Sequence, residues 1–189
     1  MGKFGLSAFF AISILVPAAA SAHSYGPPPG VTAAPGDSAK ACTACHATYP
    51  LNSGAGSVNI TLPSGSVYIP GVKQRIMVRV ADPNQKRWGF QLTARLDSNP
   101  QTGQAGDFTP VDNWTQVICP DYGPQPCASG PYFIEHTSAG TRNGTTGGAT
   151  FQFDWTPPST NAGTVTLYAA GNAANGDGSF NGDYIYTTS

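Results

Sequence analysis

Charge is scarce in this sequence. Only 10% of its 189 residues are Asp, Glu, Lys or Arg, and the nine basic and ten acidic side chains form no cluster of either sign. Nucleic acid is bound through a basic stripe that neutralises phosphates, so a nucleic-acid partner is excluded. Helix formers are thin as well, since Glu135 is the sole glutamate and methionine occurs twice. Long helices are not expected from such a composition. The apolar run at residues 6–16 falls short of the roughly 20 residues that a membrane span requires, and no later stretch comes nearer. The chain therefore reads as not membrane-spanning. Signatures of hydrolysis are missing too: there is no G-x-S-x-G, no H-E-x-x-H, and no sequence neighbour of Glu135 to complete a carboxylate pair. An electron carrier or a binding module is expected rather than a catalyst.

What the chain has instead is turn chemistry, with 23 glycines and 17 prolines. Its start follows an export pattern: Lys3, the apolar run, then Ala18-Ala19-Ala20-Ser21-Ala22 as a small-residue cleavage site. Residues 1–22 read as a signal peptide, which places the rest of the chain in an extracytoplasmic location, periplasmic or secreted. Residues 23–56 read as an extended arm, Pro- and Gly-rich at its start, and residues 57–189 as one folded domain.

In that domain the hydrophobic period is two. Val58, Ile60 and Leu62 alternate with polar residues, as do Ile76, Val78 and Val80. In 87–96 one side carries Trp88, Phe90, Leu92, Ala94 and Leu96, and the other carries Gln91, Thr93 and Arg95. Each run predicts a strand with one buried face. Further strands are expected at 114–118, 132–136, 149–155, 164–170 and 184–187. Many short strands separated by Gly, Pro, Asn and Asp predict an all-β fold, an antiparallel β-sandwich.

The four cysteines fall into two pairs. Cys119 and Cys127 flank a Pro/Gly-rich loop, and a local disulfide is the favoured reading in an oxidising compartment, although four cysteines permit three pairings. The other pair lies in Cys42-Thr43-Ala44-Cys45-His46, the attachment signature of c-type haem. Two thiols at this spacing add to the two vinyl groups of one porphyrin, and the adjoining imidazole reaches the iron. Cys42 and Cys45 are thus candidates for covalent haem and His46 for the proximal iron ligand. The bland reading of the same residues is a C-x-x-C disulfide beside a bystander histidine. His136 is the candidate distal ligand, against its reading as a structural histidine, while Met77 reads as packing.

Two further metal readings rest on less. Cleavage after Ala22 makes His23 the amino terminus, where amine and imidazole together suit copper with a second histidine. Asn175, Asp177 and Asp183 place oxygen-bearing side chains in one loop, as calcium requires, but the loop lacks the glycine and closing Glu of an EF-hand. A metal-free Gly/Asn/Asp hairpin explains the same residues.

The stretches SYGPPPGVTAAPGD, ACTACH, VYIPG, RWGFQLTAR, IEHTSAG, FQFDWTPP and GTVTLYAAGNAANGDGSFNGDYIYT resemble reelin-type (reeler) domains, most closely the bacterial choice-of-anchor V variants with C-x-x-C-H. The resemblance spans most of residues 23–189 and implies an immunoglobulin-like antiparallel β-sandwich outside the cytoplasm, used in recognition or adhesion. Combined with the motif, it yields an exported monohaem c-type cytochrome that passes single electrons to a redox partner protein. The rival expectation is a secreted binding or adhesion module, contacting a cell-surface component, with the C-x-x-C closed as a disulfide. The third is a copper site at His23. No apolar tail precedes Ser189, so direct anchoring is not expected.

Overall fold

A computed structural model describes residues 23–189. The signal-peptide reading falls on residues 1–22, outside the described residues. Ten strands follow in chain order: β1 Ser57–Thr61, β2 Gln74–Ala81, β3 Arg87–Leu96, β4 Asn99–Gln104, β5 Asp107–Pro110, β6 Thr115–Ile118, β7 Phe133–His136, β8 Ala149–Thr156, β9 Val165–Ala174 and β10 Tyr184–Thr188. They form two antiparallel sheets, ordered β1-β2-β8-β5 and β10-β9-β3-β7-β6, with β4 paired to β3 as a hairpin. The expected β-sandwich is the observed fold. Among the described residues no helix is long and apolar enough to cross a membrane.

The alternating pattern explains the core. Ile76, Val78 and Val80 of β2 are fully buried beside Phe151 and Phe153 of the neighbouring β8, and they share one apolar cluster with Phe90 and Leu92 of β3 in the other sheet. Ring centroids of Phe90 and Phe151 lie 4.4 Å apart, a tilted contact that adds to area burial. The ladder between β3 and β9 runs ten residues, from Arg87↔Ala174 to Leu96↔Val165, and makes this pair the spine of the larger sheet.

Two expectations need correction. β4 and β5 were not legible as strands, because NPQTGQ and DFTP are polar and punctuated by Gly and Pro. The second concerns the polar side of β3, whose Gln91, Thr93 and Arg95 are fully buried rather than solvated. They lie under the arm. Gln91 accepts from the Val31 N–H at 2.9 Å and donates to the Pro28 carbonyl at 3.0 Å. Arg95 donates to Asp37 at 2.6 Å and to the Pro35 carbonyl at 3.2 Å. The arm's own backbone turns use the His23, Gly30 and Ala34 carbonyls, and the Pro28 and Pro35 carbonyls are left to satisfy the buried polar face. Gly26 makes the close approach possible, since a Cβ there would stand 2.1 Å from Glu135 Oε1.

Candidate functional site

Where β3 begins and β7 and β9 end, the arm folds across the sandwich and leaves a mainly apolar pocket of about 760 Å³, its open mouth included. His23, His46 and His136, the three histidines of the sequence, all line it, as do Cys42 and Cys45. Val31, Ala41 and Phe90 supply apolar wall.

The C-x-x-C-H segment reaches this place through a short 3-10 turn, Ala41–Ala44. Ala41 is buried against Ala170 and Ile185, which anchors the turn to β9 and β10. Its φ of 45° is the left-handed region, a strained choice for a residue with a Cβ. The His46 N–H donates to the Cys42 carbonyl at 3.0 Å and so brings His46 one turn from Cys42. Both thiols are free: Cys45 is exposed, and Cys42 is half-buried beside the Val31 carbonyl. Burial, with Cys45 adding to it, pushes the Cys42 thiol up to about 12, so it stays protonated.

His46 is held from several directions. Its Nδ1 lies 2.7 Å from Asp183 Oδ2, and Asp183 is 1% exposed. With the Nδ1–H donating to that carboxylate, Nε2 carries the lone pair, and the Asn172 Nδ2 group lies 3.4 Å from Nδ1 and 3.3 Å from Nε2. The Phe180 ring meets His46 edge-on at 5.5 Å. Asn172 Oδ1 is buried without a hydrogen-bond partner.

His136 sits differently. Nδ1 is 3.1 Å from the Phe90 N–H and 3.2 Å from the Phe90 carbonyl, which pins the ring to β3. Burial is the main cause that lowers its pKa to about 4, so the ring is neutral. Gly89 is required here, because a Cβ would lie 2.8 Å from the ring's Cε1. His23 is exposed at the pocket rim and stacks edge-on against Tyr25.

The loop read for calcium is closed on itself. Asp177 Oδ1 accepts from the Ser179 N–H at 2.7 Å and Asp177 Oδ2 from Asn175 Nδ2 at 3.1 Å. Asn175 Oδ1 accepts from the Asp177 N–H, and the two Asp183 oxygens are taken by the Asn175 N–H and His46. Among the described residues no three His, Cys, Asp or Glu side chains gather to hold a metal ion. Asp183, read as a calcium ligand, thus lies at the thiol motif instead. Sequence reasoning did not join Asp183 to His46, which stands 137 positions earlier, and no local signal links them. Cys119 and Cys127 form a disulfide at the far end of β6.

The donor set fits a covalently held haem. Two free thiols at the attachment spacing, an imidazole whose Nε2 is not spent on the carboxylate, and apolar walls stand together.

Neither a family model nor a curated protein matches this chain. Among solved structures it is similar to the human F-spondin reeler domain, with 19% identity over 74% of this chain and 86% of that chain and a TM-score of 0.47. The Reelin-N domain of F-spondin gives 20% identity over 78% of this chain and 88% of that one, with a TM-score of 0.46. A DUF4466 family protein from Parabacteroides merdae gives 18% identity over 72% of this chain and 44% of that one, at a TM-score of 0.39. These likenesses concern the course of the chain and carry neither ligand nor partner to this protein.

Proposed function

We propose that this chain acts outside the cytoplasm as a binding module, a β-sandwich whose site is the pocket between arm and sheet, and that the bound group is one haem. Cys42 and Cys45 attach it and His46 ligates its iron. One observation carries the reading: both unpaired thiols and the His46 imidazole face the same apolar pocket, while the chain's other two cysteines are bonded to each other. Haem supplies reversible one-electron chemistry when bound. The residues of this chain would hold it, with Val31 in the apolar wall of the pocket, and the pocket's open mouth is where a redox partner would approach. In this reading the module accepts one electron from a reduced partner and passes it to an oxidised one.

The rival reading keeps the binding module and omits haem, with the C-x-x-C closed as a disulfide. Protein purified from cells able to mature cytochromes separates the two. Covalent haem gives a Soret band that survives denaturation and an intact mass raised by one haem. A colourless protein whose mass shows two disulfides and no addition sinks the haem reading and leaves the module without it.

A further inference from the structure

The haem reading says which atoms attach the group, and a second relationship in the pocket concerns how His46 is aimed. Asp183 stands immediately before β10 and is almost fully buried, 2.7 Å from His46 Nδ1. Its other oxygen accepts from the Asn175 N–H at 3.0 Å, so the carboxylate cannot swing. The loop that delivers it is braced by its own side chains: Asn175 Nδ2 donates to the Asn181 carbonyl at 2.9 Å and to Asp177, and Ser179 Oγ accepts from the Asn181 N–H. That is a rigid mount built over nine residues to present one buried carboxylate to one imidazole. A carboxylate acceptor fixes the Nδ1–H tautomer, raises the basicity of Nε2, and orients the ring of a metal-binding histidine.

We infer that Asp183 is a positioning residue for His46: it holds the imidazole in the Nδ1–H tautomer with Nε2 presented to the pocket, and strengthens it as an iron ligand. This rests on the proposed haem site, and it extends to the electronic character of that site. A carboxylate charge held behind the ligand favours oxidised iron over reduced, so Asp183 lowers the midpoint potential. Asn172 is the complementary contact. Its Nδ2 lies 3.4 Å from Nδ1 and 3.3 Å from Nε2, so the amide bounds the ring beside the pocket.

Two measurements test this. In haem-free wild-type protein labelled at histidine nitrogens, the neutral form of the His46 ring should carry its proton on Nδ1 and none on Nε2. In haem-loaded protein, D183N should keep its haem and shift the midpoint potential upward, and D183E should move it back toward wild type. An Nε2–H tautomer in the wild type overturns the inference, as does a D183N potential equal to that of the wild type. Should D183N fail to fold, the wild-type tautomer decides alone. A wild type that takes up no haem refutes the haem reading, while the tautomer still decides whether Asp183 aims His46.

Discussion

Arg95 and Asp37 meet at 2.6 Å with side chains 0% and 5% exposed, and this ion pair joins the polar side of β3 to the arm. The guanidinium is otherwise saturated by backbone carbonyls of Pro35, Pro100 and Gln101 and by Thr93 Oγ1. Removing one partner of such a pair leaves the other charge buried and uncompensated, which costs about 3–5 kcal/mol. Asp37→Ala should therefore lose stability on that scale in urea unfolding, and the arm should become open to limited proteolysis ahead of the sandwich. A loss below about 1 kcal/mol, the range of exposed pairs, would show that the arm is not clamped there.

Glu135 and His136 give stability opposing dependences on pH. Burial is the main cause that raises Glu135 from 4.5 to about 8, against the hydrogen bonds from Gln91 and Gln116. Across that window the native state keeps a proton that the unfolded chain has released, so stability falls as pH rises. His136 is lowered from 6.5 to about 4, so between those values the unfolded chain binds a proton that the native ring refuses, and stability rises with pH. The two oppose each other below 6.5, and the decline due to Glu135 stands alone from 6.5 to about 8. Its slope is at most about 1.4 kcal/mol per pH unit. Denaturation of wild type and Glu135→Gln across this range should show the decline in the first and not in the second.

Gly89 lies where a methyl group would strike the His136 ring at 2.8 Å. Gly89→Ala should push the imidazole off the Phe90 backbone and cost about 1–3 kcal/mol, the usual range for overpacking. Nitrogen shifts of the His136 ring, read beside thermal unfolding, check both parts. A variant as stable as wild type with an unmoved ring would contradict the packing described.

The disulfide closes a short loop, eight positions apart, between β6 and β7. Loop-closure entropy for such a ring is worth about 2–3 kcal/mol. The double substitution Cys119→Ala with Cys127→Ala should lower stability by that amount and leave the pocket at the other end intact, read as unchanged haem content.

The architecture was legible where one rule governed a residue. Trp88, Phe90, Leu92 and Ala94 alternate with polar neighbours, and that period alone predicted a central strand with an apolar face. Arg95 and Gln91 misled, because a polar face next to an apolar one reads as solvated. What buries them is a partner from outside the sheet, supplied by carbonyls of Pro28 and Pro35 that local pattern does not reveal. The attachment motif was legible for the opposite reason, since Cys42, Cys45 and His46 fall within one turn of chain. Asp183 was not, and its residue type pointed toward calcium until folding set it beside His46. His136 was legible as a buried strand residue, yet the pocket it shares with His46 depends on three strands ending together.

The arm lies over strands that are made after it. It leaves the ribosome well before β3, β7 and β10 exist to receive it, so the Cys42 thiol stays uncovered while the rest of the chain is being synthesised. Any enzyme that modifies this cysteine has its opportunity in that interval. Once the arm docks, the same residue packs against Ala170 of β9 and Ile185 of β10 and is half-covered.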